Sequence, residues 1–284
     1  MNPVTVREAL AAATIRLRGG GVAAPRLDAE VLLAFVLDAA RTNLYINIDK
    51  TISGPDHARY SSCVQRRLTG EPVAYITGEK EFMSLTFCVD SNVLIPRPET
   101  EVLVEEALEI KPLRVVDVGT GSGAIAVSLA YYLPESLVTA TDLSSAALRI
   151  AALNAANNSV SNRINFLHGD LLGPLDHPEF FGTFDLVAAN LPYIPSVEMT
   201  GLPVDVRDFE PSSALDGGFD GLMYYRSLGP SAYRLLKSKG VLLVEIGYDQ
   251  SAVMKDFLSG LGYANITVIK DLAGLERIVK ATKP

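Results

Sequence analysis

The hydrophobic pattern along the chain changes period twice. Over the first 74 residues it repeats near 3.6, the spacing that lines apolar side chains along one helical face. VREALAAATIRLRGG predicts a helix from Val6, stopped by the glycine run Gly19 to Gly21. PRLDAEVLLAFVLDAA predicts a second, opened by Pro25 and the acidic Asp28 and Glu30, and GPDHARYSSCVQRRLTG a third, ended by Gly70. Between Tyr75 and Val93 the pattern becomes strand-like in AYITG and EFMSLTFCV, which read as a β-hairpin connecting two bodies. LIPRPETE then leads into a helix: its prolines favour extended backbone before them, and ETEVLVEEALEI returns to the helical period.

From Arg114 onward strands and helices alternate. RVVDV, LVTATD, INFLHGD, FDLVAAN and GVLLVEIG read as strands. GAIAVSLAYYL, SSAALRIAALNAANN and YYRSLGPSAYRLLKS read as the helices between them, and ANITVIKD with LERIVKAT as a closing pair able to run antiparallel. Such alternation implies an α/β fold with a parallel, doubly wound sheet, whose ligands sit at the carboxyl ends of the strands. With 284 residues, 48% of them hydrophobic, the chain is expected to hold more than one domain. The divisions expected are 1–74 helical and partner-binding, 75–98 a hairpin linker and 99–284 the α/β domain.

Composition narrows the functions. The longest greasy stretch, VLLAFVLDAA, is too short to span a bilayer, and the first residues carry no basic-then-apolar signal pattern, so a cytoplasmic protein without a membrane partner is expected. Cys63 and Cys88 lack CxxC spacing, and His57, His168 and His177 are scattered, so no metal is expected. The net charge of −8 argues against broad electrostatic binding of nucleic acid. Residues 1–74 carry nine basic and seven acidic side chains, and the remainder is net −10. This is either ordinary scatter or a mildly basic surface offered to a partner. Arg66 and Arg67 are read as a solvated helix face, with contact to a partner as the alternative, and Arg97 as a brace near the cofactor.

DVGTGSGA places Gly119, Thr120, Gly121, Ser122 and Gly123 directly after the first parallel strand and before its helix. Glycines there allow tight turns and let a ligand approach the main chain. Asp142 ends the next strand, where an acid can hold ribose hydroxyls. The same arrangement passes as a dinucleotide fingerprint, so geometry alone leaves a tie. Charge separates the two: Asp117 precedes the loop, and no Lys or Arg occurs between Val115 and Asp142. A pyrophosphate would meet a carboxylate, whereas S-adenosylmethionine carries an ammonium that Asp117 suits, directly or through water. HGDLL ends the third strand and puts Asp170 or the Leu171 backbone beside the adenine.

AANLPYIP closes FDLVAAN, the strand expected beside the first one. A planar NH2 group is a poor nucleophile because its lone pair is delocalised. Two acceptors gripping its N–H bonds can aim it at a sulfonium methyl, and holding reactants in line is worth up to ~7–11 kcal/mol. The Asn190 side-chain oxygen is one acceptor. The carbonyl of Leu191, biased toward extended backbone by Pro192, is the other, and Tyr193 can cover the flat face of the substrate amide.

With these residues in place the chain resembles the release-factor glutamine methyltransferase family, whose tetrapeptide is Asn-Pro-Pro-Tyr. The resemblance runs through PRLDAEVLL, GEPVAYITGEKEF, LIPRPETE, DVGTGSGAIA, NLPYI and DVRDFEPSSALDGGFDGL, nearly the whole length. It implies a Rossmann-like, seven-stranded class I methyltransferase domain joined by a β-hairpin to a small N-terminal helical domain. It also implies transfer of methyl from S-adenosylmethionine, leaving S-adenosylhomocysteine, to the glutamine side-chain nitrogen (N5) of the Gly-Gly-Gln motif in class I peptide chain release factors, with Asn190 contacting both cofactor and glutamine. By the same resemblance Gly119 to Gly123, Asp142 and Asn190 bind cofactor, and the reading of charge and strand ends above adds Asp117, Asp170 and Leu171. Asn190, Leu191, Pro192 and Tyr193 grip the glutamine, with Asn190, Pro192 and Tyr193 catalytic. A monomer is expected. Leu191 stands where the family has its first proline, and Leu171 where some members carry an aromatic residue. The segment from Ser196 to Asp220 reads as a cover over the glutamine entrance.

Three alternatives stay open. Asn-Leu-Pro-Tyr also suits an exocyclic adenine NH2, as in a ribosomal RNA adenine-N6 methyltransferase. The glycines suit a nicotinamide-dependent oxidoreductase. A methyltransferase-like module without turnover is the third.

Overall fold

A computed structural model describes residues 4–284. The chain divides into two compact units, one holding residues up to Gly78 together with Pro203–Phe209, the other Glu79–Leu202 and Glu210–Pro284.

The first unit is helical. A short antiparallel pair, β1 (Val4–Thr5) with β2 (Thr51–Ile52), brackets α1 (Val6–Gly19), α2 (Pro25–Val36) and α3 (Arg41–Ile46), and α4 (Gly54–Leu68) and α5 (Val73–Thr77) follow. Helix α1 opens on a capping box: the Glu8 amide donates to Thr5 Oγ1 at 3.3 Å and the Thr5 amide to Glu8 Oε2 at 2.8 Å, satisfying two of the donors a helix start leaves free. The apolar stripes of α1, α2 and α4 meet in a core of Leu10, Leu17, Leu32, Leu33 and Tyr60. Helix α3 was not foreseen, being six residues long with a single buried side chain, Leu44. AYITG, expected as a strand, lies largely in α5, which ends on Gly78 in the left-handed region. A glycine with positive φ closes a helix at no steric cost, so that residue marks a C-cap and not a hairpin.

Arg66 and Arg67 are not a free basic face. Arg66 pairs with Glu71 at 2.5 Å, and Arg67, only 13% exposed, pairs with Asp28 at 2.8 Å. Arg67 also faces Asp205 at 3.8 Å, in the stretch Pro203–Phe209 that joins this unit.

The second unit begins with the hairpin β3 (Glu79–Phe82) and β4 (Leu85–Cys88), followed by α6 (Pro98–Ile110). The hairpin buries Phe82, Leu85 and Phe87 in the same core as α6 and the sheet. Then come β5 (Arg114–Val118), α7 (Ala124–Tyr132), β6 (Leu137–Asp142), α8 (Ser145–Asn157), β7 (Ile164–His168) and β8 (Phe184–Ala189). After α9 (Val204–Arg207), a single turn within the first unit, follow α10 (Met223–Leu235), β9 (Leu236–Glu245), α11 (Ser251–Gly260), β10 (Ala264–Lys270) and β11 (Glu276–Thr282).

Seven strands form one sheet in the order β10-β11-β9-β8-β5-β6-β7. All neighbours are parallel except β11, antiparallel to both β9 and β10. The inner strands are mostly apolar because helices cover both faces, yet side chains still alternate. Val115, Leu186, Ala188 and Leu243 enter the core shared with α6 and α7, while Val116, Val187, Leu242 and Val244 enter the core shared with α10 and α11. Strand order reverses between β5 and β8, which opens a crevice at their carboxyl ends.

Candidate active site

The glycine loop turns in that crevice. Gly119, Gly121 and Gly123 adopt φ of 71°, 55° and 81°, values open to glycine at little cost. Gly123 caps α7, and a Cβ there would press on Ala151 at 3.1 Å. Asp142, at the end of β6, accepts the Gly121 amide on Oδ2 and the Ser144 amide on Oδ1, both at 2.8 Å. Asn154, wholly buried in α8, ties the loop to the hairpin: its Nδ2 donates to the Ser122 and Cys88 carbonyls at 2.9 Å, and its Oδ1 accepts the Cys88 amide at 2.7 Å.

A cavity of about 260 Å³ opens over this loop. Its walls include Gly119 to Ser122, Asp142, Asp170, Leu171, Asn190, Leu191 and Pro192, so most of the residues expected at the site meet here. Leu171 takes a left-handed φ of 45°, uncommon for a residue with a side chain and a frequent mark of binding segments. Leu191 is 4% exposed and packs its side chain on Gly119.

Three expected residues stand behind the wall. Gly123 serves the turn into α7. Asp117 has no exposure, so the direct meeting with an ammonium foreseen for it does not match its position. Its Oδ2 instead accepts the Thr120 hydroxyl at 2.6 Å and the Ala126 amide at 3.1 Å, which holds the loop from beneath. Burial pushes its carboxyl up to about 7, and among the described residues Oδ1 has no partner. Tyr193 is half-buried, and its hydroxyl donates to Glu245 Oε1 at 3.2 Å.

Thr100, Glu245 and Leu143, which sequence reasoning passed over, and Arg97, read there as a brace, complete the site. Thr100, in the first turn of α6, and Glu245, closing β9, are 4% and 1% exposed. The Thr100 hydroxyl donates to Glu245 Oε2 at 2.6 Å, and Asn190 Nδ2 donates to Thr100 Oγ1 at 3.0 Å. Burial pushes the Glu245 carboxyl up to about 7 against these hydrogen bonds. Arg97 lines the cavity and pairs at 2.5 Å with Glu210, whose other oxygen accepts the Ile95 amide at 3.1 Å. This ties LIPRPETE to the FEP turn. Leu143, 67% exposed beside Asp142, supplies an apolar wall. The one clue to these positions was the density of LIPRPETE itself, since no spacing rule singles out Thr100 or Glu245.

The stretch from Ser196 to Asp220, read as a cover over the glutamine entrance, is built of short 3₁₀ turns and α9. Its end pairs with the chain just after the tetrapeptide, while Gln250 holds Tyr193. The Gly217 amide donates to the Ile194 carbonyl at 2.8 Å, the Ser196 amide to the Gly218 carbonyl at 2.9 Å, and Gln250 Nε2 to the Tyr193 carbonyl at 2.9 Å. Gly221 holds φ at 74°, and a Cβ there would collide with the Tyr193 carbonyl.

Comparison with known proteins gives this architecture its class. Residues 8–78 match the model of the PrmC N-terminal domain and residues 115–202 that of a methyltransferase domain. The release factor glutamine methyltransferase of Moorella thermoacetica is 46% identical, over 96% of this chain and 97% of its own. The chain belongs to the release factor glutamine methyltransferase family. The enzyme of that name from Nitratidesulfovibrio vulgaris is 41% identical over 100% of this chain and 98% of its own. A methyltransferase from Pyrococcus furiosus shares the fold, with a TM-score of 0.53 at 18% identity over 78% of this chain and 98% of its own.

The fold is therefore the expected one, a methyltransferase domain on a mostly parallel seven-stranded sheet with an added N-terminal domain. Family membership turns the ambiguous glycine loop away from nicotinamide chemistry. The loop's chemistry agrees with a cationic amino-acid cofactor. An unpartnered carboxylate oxygen of Asp117 lies under the loop, Asp142 stands on the wall, and the lining cation Arg97 is already neutralised by Glu210. Among the described residues no helix is long and apolar enough to cross a membrane.

Proposed function

We propose that this protein methylates the side-chain amide nitrogen (N5) of the glutamine in the Gly-Gly-Gln motif of a class I peptide chain release factor. The observation that carries the reading is the fixed carboxamide of Asn190 at the end of β8, over the glycine loop, in a chain similar end to end to release factor glutamine methyltransferases. The cofactor, S-adenosylmethionine, supplies when bound an electrophilic methyl group on a sulfonium. Asp142 holds its ribose, Asp170, Leu171 and Leu143 border its adenine, and Asp117 steadies the loop that faces its amino-acid end.

Asn190 Oδ1 and the Leu191 carbonyl accept the two N–H bonds of the glutamine amide. An amide nitrogen needs orientation more than a strong base, because its proton becomes acidic once the new N–C bond forms and leaves to water. Pro192 keeps Leu191 extended, and the clamp on residues 193–196 keeps the tetrapeptide in place. The substrate is met by a monomer in the cytoplasm, and without direct nucleic-acid contact; the net charge of −8 supports the last of these. The ribosomal RNA adenine alternative would fill the same clamp with another planar NH2 group, but the full-length relatives are release factor enzymes.

The test offers purified protein and labelled cofactor a release factor, ribosomal RNA and DNA side by side, with mass spectrometry locating the methyl group. Label on the Gly-Gly-Gln glutamine is expected. Label confined to RNA would transfer the chemistry to the adenine reading.

A further inference from the structure

We propose that Thr100 and Glu245 are positioning residues that decide which end of the Asn190 carboxamide faces the substrate. The inference rests on the glutamine-methylating reading of the site and assigns it two residues outside the tetrapeptide.

An asparagine amide is nearly symmetric in shape, and rotating it by half a turn exchanges an acceptor for a donor. The clamp works in one of these orientations only. With Oδ1 toward the substrate, Asn190 accepts an N–H of the glutamine amide; turned over, its NH2 would confront another NH2. The structure holds a device that selects the first. The Thr100 hydroxyl has one proton, and Glu245 Oε2 takes it at 2.6 Å. Oγ1 then has only lone pairs to present to Asn190, so Nδ2 must face it, as it does at 3.0 Å. Oδ1 is left as the end that can accept.

The same carboxylate reaches the far end of the tetrapeptide, because Glu245 Oε1 accepts the Tyr193 hydroxyl at 3.2 Å. One buried acid thus holds Asn190 through Thr100 and Tyr193 directly, from α6 and β9. A bridge serving stability alone would need no such polarity: donor and acceptor could be exchanged along it without loss. Here the direction of every hydrogen bond is set by the acid at its end.

Thr100→Val keeps the branched shape and removes the hydroxyl, while Thr100→Ser restores it. Thr100→Val is expected to lower kcat on a release factor by about tenfold or more, with KM for S-adenosylmethionine and melting temperature little changed. Thr100→Ser is expected to recover most of the loss. A second readout needs no substrate: the Asn190 side-chain NH2 signal in 15N spectra, assigned by its disappearance in Asn190→Asp. It is expected to exchange slowly with solvent in the parent and rapidly in Thr100→Val. Full kcat in Thr100→Val, a Thr100→Ser variant as impaired as Thr100→Val, or equally fast exchange in parent and Thr100→Val would each overturn the proposal. Should the parent protein methylate no release factor, the substrate reading fails, while the exchange comparison still decides the positioning role.

Discussion

The Tyr225 hydroxyl lies 3.1 Å from the Leu191 carbonyl oxygen and also donates to the Glu245 carbonyl. Tyr225, on α10, is among the largest fully buried side chains, so the phenol joins the tetrapeptide to the end of β9 from inside the core. With one proton between two carbonyls, it leaves the Leu191 oxygen a lone pair for another donor. Tyr225→Phe is therefore expected to destabilise the fold by ~1–3 kcal/mol, the cost of a buried carbonyl losing its partner, and to lower kcat severalfold as residue 191 loosens. Denaturant titration and steady-state kinetics check both; unchanged stability would mean that the hydroxyl holds nothing.

Leu191→Pro asks whether residue 191 contributes more than its carbonyl. The leucine side chain rests on Gly119, and proline would trade that contact for a locked φ. The expected outcome is kcat at or above the parent value, with KM for S-adenosylmethionine raised a fewfold. A collapse of kcat would show that the leucine itself shapes the clamp.

Asn190→Ala removes the side-chain acceptor and leaves the backbone one. By the measure of a preorganised hydrogen-bonding group, the loss in the transition state is ~3–4 kcal/mol, a drop in kcat of some hundredfold or more. Calorimetric binding of S-adenosylmethionine is expected to persist. Retained turnover in this variant would refute the clamp.

How much of this was legible beforehand follows from the range of the forces involved. The alternation after Arg114, the glycine loop and the end of FDLVAAN are local: each is fixed by residues within a few positions, and each falls where the pattern puts it. AYITG misled because five residues carry no usable period, so the deciding feature was the left-handed Gly78 after it. Asp117 was read as the acid ahead of the loop, but its burial beneath the loop was not legible, since a strand residue's facing depends on the helix that covers it. Thr100 and Glu245 are 145 positions apart, and only the closed sheet brings them together. No periodicity encodes that meeting.

Gly221 reports on the clamp from outside. Its positive φ and its closeness to the Tyr193 carbonyl and Gln250 Nε2 leave no space for a methyl group. Gly221→Ala is expected to push residue 193 out of place, costing on the order of 1–3 kcal/mol in stability and most of the activity. Gly182→Ala, also at positive φ but with open space around it, serves as control: it carries the backbone strain alone and is expected to keep its kcat. Equal loss in both would trace the effect to strain in general.

Glu245 links the site to pH in two opposite directions. Burial holds its carboxyl up near 7, against the hydrogen bonds of Thr100 and Tyr193 and the charge of Arg277; the charge of Glu99 adds to the rise. Tyr225 reaches only its backbone carbonyl. The native state therefore keeps a proton that the unfolded chain releases near 4.5. The associated stability is present below that pH and is lost as pH climbs through 7, by an amount on the order of 3 kcal/mol. Asp117, also raised to about 7, acts in the same sense. Turnover moves the other way. Only the ionised acid obliges Thr100 to donate to it; once protonated, Glu245 can donate to Thr100, free the hydroxyl proton for Asn190 and turn the carboxamide over. From pH 5 to 8 the melting temperature is expected to fall while kcat rises with an inflection near 7. In Glu245→Gln, the stability loss is expected to shrink and the kcat inflection to vanish. An inflection that survives in Glu245→Gln belongs to another group, and the acid at the end of β9 would then be no more than a strut.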